Sequence, residues 1–272
     1  GIEIKDFAHE MAILSLWLAE HQMNQVFELE LLDYGKSNPI LPLKESGNIT
    51  AGNAARVDWE IACPKEANDE IYIIGNPPYL GARIQDAEQK SDMELVFNSF
   101  KKFKDLDYIS IWLYKGSKFI EGINAQLAFV STNSISQGQQ VALLWDKILR
   151  DSLEISFAYQ SFKWVNNAKG NAGVTVIIVG LRNISNSPKY IFTESIAKQV
   201  KNINAYLLDA PNIIITERMK SIAGFMRMNF SNMPNDGGGL ILDEQEKNNL
   251  IFNYPNSEKY IRRLVGSTEF IN

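Results

Sequence analysis

The run Asn76-Pro77-Pro78-Tyr79 carries residue types that can activate a planar amine. An exocyclic amine on an aromatic ring is a poor nucleophile, because its lone pair is delocalised into the ring. Two acceptors, the Asn76 side-chain oxygen and the Pro77 backbone carbonyl, can each take a hydrogen bond from one of its N–H groups. The nitrogen is then held pyramidal, with its lone pair aimed at an electrophile. Pro77 and Pro78 fix φ and have no N–H, which leaves a stiff loop with free carbonyls. Tyr79 offers a flat face to a base taken out of its stack. The work is positioning and electrostatics, and no strong base is needed. A plain Pro-Pro turn closing a strand is the competing reading.

Such a loop needs a rigid element behind it. The apolar run Ile71-Tyr72-Ile73-Ile74 reads as a buried strand that delivers Asn76 to its carboxyl end, where open α/β sheets place ligand chemistry. Gly1-Ile2-Glu3-Ile4 reads as the tail of another strand. Asp6 is a candidate cap for a helix through about residue 22, with Phe7, Met11, Leu14 and Leu18 as a core-facing stripe. Residues 48–53 read as a short strand and turn, 92–122 and 138–150 as helices, and 125–132, 155–159 and 174–180 as strands. Strands alternating with helices of this length predict α/β architecture with a mainly parallel sheet. The alternation fades after about residue 183, where Ile213-Ile214-Ile215, Gly237-Gly238-Gly239 and a polar tail follow. No internal repeat or low-complexity tract is evident.

Other residues are candidates by position. Glu3 closes a strand before a helix, where a carboxylate can bond ribose hydroxyls; a surface carboxylate is the alternative. Asn53 ends the next strand, placed to meet an adenine ring or to serve as a simple turn asparagine. Asn133 lines the pocket or caps a turn. Phe162 and Trp164 precede a polar loop, and either aromatic can stack on the far face of an extruded base opposite Tyr79, with core packing as the alternative for Phe162. His9 and His21 sit twelve residues apart without ligand spacing, so no metal site is expected. The triple glycine lacks the Lys-Ser/Thr of a phosphate loop and reads as a flexible joint. Arg262-Arg263 reads as a solvated helix face.

Composition narrows the classes. The 272 residues suit one large domain or a domain with an appendage. The single Cys63 excludes an internal disulfide. A net charge of −5 does not mark a general nucleic-acid binder, so any DNA contact must be local. No run of about eighteen apolar residues exists, and no secretory leader precedes the first strand; a cytoplasmic location and no membrane partner are expected.

The Asn-Pro-Pro-Tyr loop resembles the catalytic loop of amino-group methyltransferases that use S-adenosylmethionine. With its neighbours it resembles the gamma-type adenine-specific DNA methyltransferases, in particular the MmeI-like type II restriction-modification enzymes. The matching stretches run in family order: residues 1–22, ITAGNAARVDW (49–59), IIGNPPYLGAR (73–83), 107–120, LAFVSTNSISQG (127–138), 162–181, 234–242 and 260–272. The resemblance implies a Rossmann-like methyltransferase sheet, mostly parallel with its last strand antiparallel and its first strand missing. It implies that Glu3 and Ile4 meet the cofactor ribose, and Asn53 and Ala54 its adenine. Asn76, Pro77, Pro78 and Tyr79 would form the catalytic loop, with Asn76 also near the cofactor and Trp164 or Phe162 against the target base. It further implies a catalytic core over residues 1–183 and an extension over 184–272, linking towards a target-recognition domain. The family's glycine-rich cofactor motif lies on the strand before Glu3, and is absent here. The expectation is therefore a fragment that binds S-adenosylmethionine weakly and is inactive alone, with double-stranded DNA as the partner of the parent chain and a fused nuclease left open. Methylation of protein glutamine or ribosomal RNA by a related enzyme is the alternative, as is a non-catalytic scaffold within a larger machine.

Overall fold

The computed structural model describes residues 1–30, 48–66, 68–150, 152–163, 175–193, 196–218, 224 and 239–264. The chain divides into two compact units, Gly1–Glu217 and Arg218–Asn272. In the first unit, β1 (Ile2–Glu3) leads into α1 (Asp6–Glu30), and β2 (Thr50–Ala51) pairs parallel with β1. A short helix α2 (Trp59–Ala62) follows, capped by the Asp58 carboxylate on the Glu60 amide. Then come β3 (Ile71–Gly75), α3 (Ala87–Phe97), α4 (Ser110–Ile120) and β4 (Ala125–Thr132). Beyond β4 the helical segment α5 (Gly138–Gln140) passes through a π-helical stretch, Val141–Trp145, into α6 (Asp146–Ile148). The strands β5 (Leu153–Lys163), β6 (Thr175–Asn183), β7 (Lys189–Thr193) and β8 (Ile196–Val200) complete the unit.

The large sheet has the order β3-β4-β6-β5-β7-β8. Strands β3, β4, β5 and β7 run one way, and β6 and β8 run against them. This is a mixed α/β, mostly parallel sheet of Rossmann-like kind, with β6 wedged antiparallel between β4 and β5. The sheet runs on to Val200, past residue 183 where the alternation of strands and helices fades. The strands β1 and β2 form a separate pair. Every second residue of β4 is buried, so one face is given to the core. Phe97, Ile109, Leu113 and Ile120 from α3, α4 and the segment between them are buried with Leu127 and Phe129 of β4.

Helix α4 lies close on β4 because Gly116 has no side chain. A Cβ there would stand 2.7 Å from the Leu127 Cδ2 atom and 3.3 Å from the Phe129 and Trp59 rings. Gly116→Val is therefore expected to overpack this seam and cost about 1–3 kcal/mol. Urea unfolding measures it, and an unchanged midpoint would show that the seam has room.

Two expectations need correction. The stripe Phe7, Met11, Leu14 and Leu18 does not face a core: these side chains are between 39% and 79% exposed, and α1 has no buried residue. Its sheet contacts are with β1 and β2, which are too short to cover a 25-residue helix. The predicted helix over residues 92–122 is two helices. After Phe97 the chain turns through Lys102, at a left-handed φ of 58°, and a 3-10 turn at Phe103–Asp105 before α4 begins. That detour buries Leu106, Tyr108 and Ile109.

In the second unit, α7 (Glu244–Asn253) starts from a reciprocal capping box between Asp243 and Glu246 and is followed by a 3-10 turn, Pro255–Tyr260. Arg262 bonds the Lys259 and Ile261 carbonyls, and Arg263 is exposed. Gly239 is in a turn; Gly237 and Gly238 lie outside the described residues.

Candidate functional site

At the carboxyl end of β3 the chain enters the proline loop, but β3 is not the buried strand expected: among the described residues it is an edge strand with no buried residue. Asn76 is exposed, Pro77 is buried, Pro78 is exposed and Tyr79 is half-buried against the core. Among the described residues nothing bonds the Asn76 side chain, so its amide oxygen is free to accept. The loop behind it is fixed through Leu80, whose carbonyl accepts from the Tyr108 amide at 2.9 Å and from Gln85 Nε2 at 3.4 Å. Buried Gln85 also donates to the Leu106 carbonyl at 3.0 Å, which ties the loop to the segment entering α4. An Asp86–Gln89 capping box then starts α3.

A cleft of about 850 Å³ opens beside this loop. It brings together Glu3, Ile4, Asn53, Ala54, Asn76, Pro77 and Pro78, with Tyr108 and Trp112 in its wall. Tyr79 and Phe162 are not in its lining. Phe162 is half-buried on β5 opposite Val176, and Trp164 lies outside the described residues. Asn133 begins the 3-10 turn after β4, outside the cleft, and its carbonyl accepts from Ser136. His9 is turned away to the Ile49 carbonyl at 2.9 Å, and His21 stacks on Trp17.

The cleft is lined by β1, by Ile49 and Gly52 on either side of β2, and by β3. Among the described residues, the edge of β1 away from β2 and the edge of β3 away from β4 pair with no strand. Ile74 is accordingly 83% exposed and Tyr72 63% exposed on a strand whose sequence is that of an interior one.

Each candidate side chain has a definite state. The half-buried Glu3 carboxylate accepts from the Lys5 amide at 2.9 Å with one oxygen, leaving the other for a hydroxyl. The Asn53 oxygen accepts from the Ala55 amide at 2.9 Å, a turn-forming bond, while its nitrogen donates to Asp92 Oδ2 at 2.9 Å. Asp92 is fully buried on α3 and also accepts from the Tyr108 hydroxyl at 2.6 Å and from Arg56 Nε. Burial pushes the Asp92 carboxyl up, but the bonds from Tyr108, Arg56 and Asn53 together hold it below the usual carboxylate range. Burial, followed by the bond to Asp92, pushes the Tyr108 phenol well above its ordinary value.

Lys115 on α4 reaches the same loop from the other side. Its ammonium donates to the carbonyls of Ala54, Ala55 and Val57 at 2.8, 3.0 and 2.7 Å, and burial pulls its pKa down. The Trp59 indole donates to the Ala54 carbonyl at 2.9 Å. Sequence reasoning missed Asp92, Tyr108 and Lys115. Helix α3 buries only Asp92, Met93 and Phe97, and a carboxylate adjoining that apolar face was the signal that could have marked Asp92.

The fold and the cleft at its strand ends define a Rossmann-like methyltransferase. More particularly, residues 1–193 match the family model "MmeI, DNA-methyltransferase domain", and residues 209–272 match "MmeI, target recognition domain". The chain belongs to the MmeI family of DNA methyltransferases. It is 48% identical over 273 residues to DNA methyltransferase A of Bacillus subtilis (strain 168), covering 100% of this chain and 31% of that protein. It is also similar to the solved structure of the Type IIL restriction-modification enzyme MmeI in complex with DNA, at 39% identity and a TM-score of 0.84, covering 100% of this chain and 37% of that one. The chain thus spans about a third of the length of these relatives. From residue 209 onward, the stretch expected to link towards a target-recognition domain is itself matched by the model of such a domain.

Proposed function

We propose that this chain is the catalytic part of a DNA adenine methyltransferase of a restriction-modification system, moving a methyl group from S-adenosylmethionine to the exocyclic amine of a flipped adenine. The observation that carries this is the Asn76 amide, unbonded among the described residues, on a stiff proline loop in the same cleft as Glu3 and Asn53. The cleft's residues suit a nucleoside: the open oxygen of Glu3 for ribose hydroxyls, the Asn53 amide for a ring edge, and Ile4, Ala54 and Trp112 for apolar contact. When bound, S-adenosylmethionine supplies the electrophilic methyl group. The Asn76 oxygen and the Pro77 carbonyl hold the two amine hydrogens and direct the lone pair. Tyr79 is proposed to offer one face to the extruded base, with Phe162 or Trp164 as the expected second aromatic. Residues 1–183 are proposed as the catalytic core and 184–272 as the extension and linker towards target recognition.

The test is methyl transfer from labelled S-adenosylmethionine to duplex DNA by the natural full-length protein, with the product nucleosides resolved by mass spectrometry. N6-methyladenine is the expected product. Label in glutamine or in ribosomal RNA, with none in DNA, would overturn the reading.

The edges of β1 and β3 that pair with no strand among the described residues support a second expectation. A cleft with one open wall leaves a nucleoside partly hydrated, so this chain alone is expected to bind S-adenosylmethionine with a Kd weaker than about 100 μM and to be inactive. Calorimetric titration checks this, and micromolar binding would sink it.

A further inference from the structure

The loop of residues 76–79 and the turn Asn133–Ser136 leave adjacent parallel strands, β3 and β4, whose last paired residues are Gly75 and Phe129. Asp107, 9% exposed in the segment that leads into α4, touches both exits. Its Oδ2 atom accepts from the Ser134 hydroxyl, and a Cβ on Gly81 would stand 3.9 Å from its Oδ1 atom. The backbone on either side of Asp107 is bound to the proline loop as well. The Tyr108 amide donates to the Leu80 carbonyl at 2.9 Å, and Gln85 Nε2 bridges the Leu80 and Leu106 carbonyls. Gln140 holds the same segment from beyond β4: it accepts from the Asp107 amide at 3.1 Å and donates to the Asp105 carbonyl at 2.6 Å.

The proton order of this link follows from its members. A carboxylate can only accept, so Ser134 gives its single hydroxyl proton to Asp107. The 2.7 Å contact between the Thr132 and Ser134 hydroxyls then has Thr132 as the donor. The bonds run in one direction, from the last residue of β4 through Ser134 to Asp107. Among the described residues the Asp107 carboxylate takes its bonds from neutral groups, Ser134 and, at 3.5 Å, Gln140. Its removal therefore strands no cation.

We propose that Asp107 is a positioning residue that locks the catalytic loop to the turn after β4, acting through Leu80 and Gly81 on one side and Ser134 on the other. This rests on the reading that residues 76–79 form the catalytic loop. The two prolines stiffen that loop internally, but they do not fix where it stands relative to the neighbouring strand. The Asp107 link supplies that second constraint. Asn76 and Pro77 act on the amine through placement, and a displacement of about 1 Å at a reacting centre can cost about 10²-fold in rate.

The experiment uses the natural full-length protein. Asp107→Ala and Ser134→Ala are each expected to lower single-turnover kcat by about tenfold or more. The double variant is expected within about twofold of the slower single one, because both substitutions cut one link. The Kd of S-adenosylhomocysteine should stay within about twofold of wild type, since the cleft wall at Tyr108 is held separately, by its hydroxyl on Asp92 at 2.6 Å. Exchange of the Tyr108 amide hydrogen, which reports the bond to Leu80, should quicken in both variants. Asp107→Asn keeps the test open if the alanine variant does not fold. Its amide sets an N–H group against the donor of either Ser134 or Gln140, so an intermediate loss of about threefold in kcat is expected.

A folded Asp107→Ala or Ser134→Ala variant that keeps wild-type kcat, or wild-type Tyr108 exchange, overturns the proposal. A loss of S-adenosylhomocysteine affinity as large as the loss of kcat also overturns it, because general loosening of the unit would then account for both. A wild type that transfers no methyl group to DNA overturns the proposed activity; faster Tyr108 exchange in the variants would then leave the locking role standing, and unchanged exchange would overturn both.

Discussion

Asn76→Ala is expected to lower the rate of methyl transfer by about 10³-fold while changing the affinity for S-adenosylmethionine by less than about threefold. The side chain is exposed at the mouth of the cleft and bonds nothing among the described residues, so its removal leaves no buried partner stranded. Its oxygen is one of the two acceptors that the amine hydrogens need, and the Pro77 carbonyl remains to hold the other. Losing one preorganised polar contact at a reacting centre typically costs 10²–10³ in kcat, about 3–4 kcal/mol. Single-turnover transfer to duplex DNA by the full-length protein, alongside cofactor titration, separates the two quantities. Methylation that survives Asn76→Ala at more than about a tenth of the wild-type rate would remove Asn76 from the mechanism.

How much of this was legible before the structure depends on the range of the interactions. The strand Ile71–Gly75 and the loop after it are local: an apolar run, then two prolines that can adopt few conformations. The cleft that unites Glu3, Asn53 and Asn76 gathers the ends of β1 and β3 and the turn after β2, although β1 and β2 pair apart from the large sheet. The apolar face of α3 could mark Asp92 as buried, but its partners were not legible, because its bonds to Asn53 and Arg56 span 39 and 36 residues, and Lys115 reaches Ala55 across 60. Periodicity marks which face of a helix is apolar, and says nothing of which polar group on that face meets a partner. It misled at α1 for a related reason. The stripe is real, but a stripe predicts burial only where a surface exists to receive it, and β1 with β2 offers two residues each. At residues 98–109 helical spacing persisted through a segment that has left the helix after Phe97 and turns at Lys102, where a non-glycine residue takes a left-handed φ that no propensity foretells.

Glu154→Ala is expected to cost about 3–5 kcal/mol, a large part of the 5–15 kcal/mol that keeps a typical domain folded. Glu154 sits on β5 directly across from Arg182 of β6 and is 7% exposed. Its two oxygens are divided between two cations, Arg182 Nε at 2.9 Å and Lys189 Nζ at 2.7 Å, whose side chains are 12% and 13% exposed. The Arg182 Nη2 group donates to the Ser187 and Pro188 carbonyls, which ties down the turn from β6 into β7. Removing the carboxylate leaves two buried like charges facing each other with no counter-ion, and that penalty exceeds what the ion pairs contribute when intact. The triple replacement Glu154→Leu, Arg182→Leu, Lys189→Met should therefore recover most of the loss, since nothing charged is left in the low-dielectric site. Urea unfolding of the single and triple variants reads both signs. A single variant that loses less than about 1 kcal/mol would mean that water screens the cluster as it does surface pairs. Because Glu154 stands at the amino end of β5, away from the strand ends that carry Asn76, the cost should fall on stability and leave cofactor affinity in the folded protein unchanged.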